Sequence, residues 1–227
     1  PAQRPYEQLQ GADPFDVVLP DYDPYARTKK FCEHMVRQLV PHARPTILRP
    51  STVLGDSRRP ETTQFDMVQA FAFLAKLKVL PLRADHRIDI VPVDYVADAI
   101  LKIHGDPAPK HGIYHLASGE ASQTYAEITK AVADGRGGKP PRFWPGLGGA
   151  FAGTVRWLAN RRGWKSGRAA SRLQVFWPYL TYNTVFDNRR VAAALGRAPE
   201  TFTSYCWPLL EWSLKHRFAY PYVEYPA

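Results

Sequence analysis

Cysteine is nearly missing from these 227 residues: Cys32 and Cys206 stand far apart, in no metal-ligand spacing. Neither a disulfide framework nor a zinc site therefore organises the chain, and both thiols are expected to be reduced, in an intracellular protein. No segment approaches the ~20 uninterrupted apolar residues of a membrane span. The amino end shows no apolar signal-peptide core, and no N-x-S/T glycosylation acceptor occurs. Also missing is a glycine-rich strand–turn–helix of the kind that seats a pyrophosphate. Finally, acids are missing from one long stretch: Gly135 to Phe186 holds nine basic residues and no Asp or Glu.

The whole charge excess lives in that stretch. The chain has 30 basic and 21 acidic groups, so removing those nine leaves 21 against 21 and accounts for the net +9. This localisation favours a phosphate-bearing or lipid-surface partner over general nucleic-acid binding. Apolar residues at 45% and aromatics at 13% describe a packed globular protein, long enough for one domain or somewhat more.

The sharpest chemical signal is Tyr25-Ala-Arg-Thr-Lys29. Asp23 can cap and Pro24 can open a helix here, Pro41 can stop it, and Tyr25, Cys32, Met35, Val36 and Leu39 form an apolar stripe. Positions four apart on a helix share a face. Lys29 would then favour the phenolate of Tyr25, lowering a pKa that starts near ~10 and tuning the phenol for proton exchange with a carbonyl or alcohol oxygen. The same spacing also fits a half-buried aromatic beside a solvated lysine.

Thr46 to Pro50 reads as a short buried strand that runs into a turn at Ser51 to Ser57. A helix is expected from about Phe65 to Lys78, ended by Pro81, then a strand at Ile88 to Val93 and a helix capped by Asp94. Gly112 to Leu116 is strand-like, and Thr124 to Glu127 has the form of a capping box. His111 and His115, four apart on a strand, lie about 13 Å apart at ~3.3 Å per residue, too far for one metal ion; no metal is expected. Gly135 to Gly149 reads as a flexible join. Phe151 to Trp164 mixes bulky apolar residues with arginines, as an amphipathic helix at a lipid surface or a lid would, and equally as a solvated helix packing its aromatics inward.

Several stretches, in order, resemble the extended short-chain dehydrogenase/reductase family, and within it the thioester-reductase and fatty-acyl-CoA-reductase-like branch. They are Asp23-Pro-Tyr25-Ala-Arg-Thr-Lys29 with Glu33, Leu48-Arg-Pro-Ser-Thr-Val-Leu-Gly-Asp-Ser-Arg58, Thr63-Gln-Phe-Asp66, Ile90-Val-Pro-Val-Asp-Tyr-Val-Ala-Asp-Ala-Ile100 and Tyr114-His-Leu-Ala-Ser118. The resemblance covers about half the chain. It implies an α/β fold: the C-terminal part of a Rossmann-like doubly wound parallel sheet with a mainly helical substrate-binding part.

The resemblance further implies a nicotinamide cofactor, NADP or NAD, and reduction of a carbonyl or acyl thioester, with Tyr25 as general acid/base and Lys29 its charge partner. Both would touch the cofactor, as would the turn Pro50, Ser51, Thr52 and Val53. Arg58, Gln64 and Phe65 would meet the substrate. Residues 1–55 would then be the remnant of a dinucleotide-binding domain, to which strands near 88–93 return, 56–134 the substrate-binding part, and 135–227 a basic, aromatic-rich region. Since the family's glycine-rich turn lies far upstream of the tyrosine, the chain is expected to be a fragment that binds dinucleotide poorly and is inactive alone. A cytoplasmic enzyme is expected, with peripheral membrane contact through 151–172 and a homodimer as candidate associations. Two other readings stay open: a sugar-nucleotide epimerase or dehydratase, and a non-catalytic membrane- or phosphate-binding module that has lost its cofactor site.

Overall fold

In the computed structural model, the structure describes residues 24–40, 42–43, 45–63, 65–161, 170–171, 173–174, 177, 180–181 and 183–219. The first element is helix α1 (Pro24–Leu39), with proline at its first position as the sequence signals. Strand β1 (Ile47–Pro50) follows and pairs in parallel with β6 (Ile113–Leu116). One residue later the same extended segment becomes β2 (Thr52–Val53), which leaves β6 and pairs in parallel with β5 (Ile90–Val91). Residues 47–53 therefore serve two ladders in succession. Parallel strands joined through helices make this an α/β structure.

Two expectations change in detail. Helix α2 (Phe65–Leu74) stops short of Lys78, because Val79–Leu80 forms β3 and pairs in parallel with β8 (Arg142–Phe143). That pairing also orders the glycine- and proline-rich stretch expected to be a flexible join, which continues into helix α5 (Gly148–Ala159). The expected strand at Ile88 to Val93 is split: β4 (Arg87–Ile88) runs antiparallel to β7 (Gln123–Thr124), while β5 faces β2. Asp89 is the residue at the break.

Helix α3 (Val93–His104) is capped by Pro92, not by Asp94; Asp94 sits in the first turn, where an acid complements the helix dipole, and its carboxylate turns to Ser57. Helix α4 (Tyr125–Gly135) does carry the expected reciprocal cap: Glu127 N–H donates to Thr124 Oγ1, and Thr124 N–H to the Glu127 carboxylate at 2.7 Å. Helices α6 (Arg189–Leu195) and α7 (Phe202–Lys215) complete the described elements.

Apolar residues gather in two cores. The smaller one, with Val91, Tyr95, Ala99, Ile103, Tyr114, Leu116 and Val191, lies under β1 and β6 between α3 and α6. The larger one joins α2, α4, α5 and α7 through residues such as Val68, Leu80, Ile128, Val155 and Leu209. Residues of 56–134 and 135–227 thus share a single core. Ile88 and Ile90 face the larger core and Val91 the smaller, which puts Asp89 at their junction.

Candidate active site

The parallel strands β1 and β6 end together, at Pro50 opposite Leu116. In open α/β sheets the crevice beyond such carboxyl ends is where ligands bind. Three groups of residues adjoin these strands and their continuation into β2.

The first is the face of α1. Residues 25, 29 and 33 follow at intervals of four within the helix, so they share one face. Glu33 fixes where that face turns. Its carboxylate accepts two parallel hydrogen bonds from Arg49 of β1, Nε to Oε1 at 2.8 Å and Nη2 to Oε2 at 2.6 Å, in a fork left only 18% and 20% exposed. Arg49 also reaches His115 Nε2 on β6 at 3.4 Å, and the His115 ring packs edge-on against Phe186. His115 is thus an ordinary hydrogen-bonded histidine. Lys29 is exposed one turn before Glu33. The Tyr25 side chain lies outside what the structure describes, although its backbone belongs to α1. Beside the fork, Lys30 has its pKa lowered, first by burial and then by the Arg49 charge.

The second group is the turn after β1. Ser51 N–H donates to Leu116 O at 3.0 Å, Thr52 N–H to Asp89 O at 3.2 Å and Leu54 N–H to Val91 O at 3.1 Å. Below the turn lies the carboxylate of Asp89, only 4% exposed. Asp89 Oδ1 accepts from the Ser51 hydroxyl and from Ser118 N–H, both at 2.8 Å, and Oδ2 accepts from Gly119 N–H at 3.2 Å. A buried carboxylate needs such donors, and here one each comes from the ends of β1 and β6 and from the residue beyond. Gly119 has φ +61, and a Cβ on it would collide with the Asn188 side chain, whose amide donates to Ala117 O at 3.0 Å. Only glycine fits there.

The third group is the loop from Gly55. Gly55 has φ +72, and its carbonyl accepts from Val93 N–H at 2.8 Å. Asp94 accepts from Ser57 N–H at 3.0 Å and Ser57 Oγ at 2.7 Å. Burial works against the Asp94 carboxylate, but the Ser57 donors outweigh it and hold the carboxyl below its ordinary pKa. Arg58 is 63% exposed and spans Asp94 at 3.5 Å and Asp98 at 3.0 Å; Asp98 is shared with Arg197 at 2.6 Å.

The expected site residues thus divide. Lys29, Pro50, Ser51, Thr52, Val53 and Arg58 lie on these three neighbouring elements. Phe65 is 1% exposed, stacked on Trp212 at 6.1 Å and edge-on to Phe218 at 6.0 Å, so its ring is part of the α2–α7 packing. Gln64 lies outside the described residues. Asp89 and the Arg49–Glu33 fork are additions of the structure. An acid between two isoleucines, Ile88-Asp89-Ile90, was the available signal for the first.

Among the described residues no cluster of three His, Cys, Asp or Glu could hold a metal, and no helix is long and apolar enough to cross a membrane.

Comparison with known proteins agrees with this architecture. Residues 16–100 match the NAD-binding family model described as Male sterility protein. A nonribosomal peptide synthetase of Aspergillus flavus is 28% identical over 111 residues, which are 48% of this chain and 10% of that protein. The terminal R domain from the myxalamid PKS-NRPS pathway superimposes with a TM-score of 0.67 at 23% identity, over 86% of this chain and 50% of that one. The thiolation-reductase di-domain of an archaeal nonribosomal peptide synthetase does so with a TM-score of 0.61 at 14% identity, over 96% and 47%. The chain therefore spans about half the length of these solved structures. Further neighbours of the same fold were solved with NADPH or NAD bound. Over residues 16–100 the chain matches the male sterility family model of NAD-binding proteins, and it shares the Rossmann-like α/β fold of these solved structures.

Proposed function

We propose that the protein is an NAD(P)-dependent reductase of the extended short-chain type, acting on an acyl thioester or the aldehyde derived from it. The observation that supports this reading is the Arg49–Glu33 fork, which ties α1, the helix that carries positions 25 and 29, to β1 one residue before its carboxyl end. The bound nicotinamide would supply a hydride there. Tyr25 gives its phenolic proton to the substrate oxygen, and the Lys29 ammonium stabilises the phenolate left behind. Lys29 and the Pro50–Val53 turn hold the nicotinamide end, and Arg58 lies at the substrate side.

The fit of these residues to a dinucleotide rests on the turn. The backbone N–H groups of Ser51 and Thr52 are spent in the ladders, its side chains are small, and it lies where α/β sheets take ligands. A thioester carrier bears phosphate, and the basic segment offers a matching surface: Arg142, Arg156 and Arg161 are exposed, and Arg161 stacks 4.1 Å over the exposed Trp157 ring. The same surface would suit an anionic membrane, and vesicle flotation separates the two.

In the full-length protein Tyr25→Phe is expected to lower kcat at least ~100-fold while the dissociation constant for the cofactor stays within about twofold. Near-normal turnover would refute the assignment. Acyl-CoA substrates offered beside sugar nucleotides decide between reductase and epimerase.

A further inference from the structure

Resting on the reductase reading, the packing of α7 against the loop after β2 singles out one further residue. We propose that Tyr205 is a substrate-recognition residue: its hydroxyl, covered by the Gly55–Arg58 turn in this structure, donates a hydrogen bond to an uncharged amide-type oxygen of the substrate, away from the reacting carbon, once that turn swings aside.

Tyr205 stands on α7 and is 4% exposed. Among the described residues its hydroxyl is the one buried side-chain polar atom without a hydrogen-bond partner. The other buried tyrosines show how the fold treats this group elsewhere. Tyr125 donates to Leu180 O at 2.7 Å, Tyr95 donates to Arg197 O at 3.4 Å, and the Tyr114 hydroxyl accepts from His111 N–H at 3.3 Å. Burying a hydroxyl with no partner loses stability that a phenylalanine of the same shape would keep. A group held at that cost beside a candidate site is explained by a partner that arrives with the ligand.

Position and charge say what kind of partner fits. A Cβ on Gly55 would lie 3.3 Å from Tyr205 Cε2, so the phenol end of the ring rests against the backbone that leaves the carboxyl end of β2. Burial raises the phenol pKa well above its ordinary value, and the charges of Asp94 and Asp56 act in the same sense. The hydroxyl therefore keeps its proton and has it to give, while the neighbouring carboxylates disfavour an anionic acceptor. A neutral carbonyl oxygen suits it.

The cover is held by groups that can let go. Gly55 has φ +72, a conformation glycine adopts without strain, and it marks a hinge. Beyond it, Ser57 donates to Asp94 at 3.0 and 2.7 Å, and Arg58 reaches Asp94 at 3.5 Å and Asp98 at 3.0 Å from a side chain 63% exposed. When Arg58 leaves, Asp98 keeps Arg197 at 2.6 Å.

The experiment combines steady-state kinetics and thermal melting on the full-length protein. The probes are octanoyl-CoA, whose arm carries amide groups, and S-butyl octanethioate, which has the same acyl thioester and no amide. Tyr205→Phe is expected to raise KM for octanoyl-CoA about fivefold to tenfold with kcat held within about twofold, and to move KM for the butyl thioester far less. The variant is also expected to melt at or above the wild-type temperature, since it removes an unpaired buried hydroxyl. An unchanged KM for octanoyl-CoA overturns the inference, as does an equal rise for both thioesters. Melting clearly below wild type overturns it too, because the hydroxyl would then be satisfied within the free protein. Wild type that reduces neither thioester overturns the thioester-reductase reading itself, and the inference falls with it.

Discussion

Arg49 grips Glu33 with both ends of its guanidinium, at 2.8 and 2.6 Å, and thereby ties the middle of α1 to β1 two residues before Ser51. Planar fork-to-fork pairing fixes orientation as well as distance. Lys29 stands four residues upstream of Glu33 in the same helix, so the fork sets how that stretch of α1 sits against the strand.

Breaking one side of this strut strands a half-buried charge. Glu33→Gln is expected to cost about 1–2 kcal/mol, less than a fully buried pair because a fifth of each side chain still meets water. Replacing both partners together, Glu33→Leu with Arg49→Met, should recover most of it. Urea denaturation of the two variants checks this; equal losses would mean that the fork contributes packing rather than charge pairing.

Asp94 gives a pH dependence with a definite sign. Its folded pKa is depressed, so its stabilisation is fully present above the unfolded carboxylate value near ~3.9 and is lost as pH falls through the lower folded value. Ser57→Ala removes a hydroxyl donor at 2.7 Å. The variant should melt below wild type at pH 7 and converge with it in strong acid. Melting curves recorded from pH 7 downward test this, and a gap that widens on acidification would contradict it.

Gly55 combines a left-handed backbone, φ +72, with crowding: a Cβ there would lie 2.8 Å from Leu209 Cδ2 and 3.3 Å from Tyr205 Cε2. Gly55→Ala is therefore expected to lose about 2–3 kcal/mol, from backbone strain and overpacking against α7 together. Thermal unfolding measures it, and a neutral substitution would show that the loop can reshape.

The two thiols should differ sharply in reactivity. Cys206 is fully buried, and burial pushes its thiol up to about 11, whereas Cys32 is exposed on α1. Brief treatment of the folded chain with iodoacetamide at pH 8, followed by peptide mass mapping, should label Cys32 alone. Comparable labelling of Cys206 would mean that α7 opens readily.

Local chemistry in this sequence was readable, and distant partners were not. Pro24 at the start of α1 and the Thr124–Glu127 cap announce their helices because the residues that decide lie within one turn of each other. The end of α2 could not be read in the same way, since Val79–Leu80 becomes a strand only through Arg142–Phe143, far along the chain. Tyr25 and Lys29 could be singled out by their spacing. Asp89 could be suspected as a buried acid, but its partners Ser51 and Ser118 stand 38 and 29 residues away, and only folding brings them to one carboxylate.

Because residues 47–53 bond first to β6 and then to β5, the floor of the crevice has no independent halves. Peeling away either neighbour pulls on the same backbone and disturbs the register of the other, so local opening there is all-or-none. Any ligand seated on this segment would brace both ladders at once, and its binding should quiet motions on either side of the groove alike.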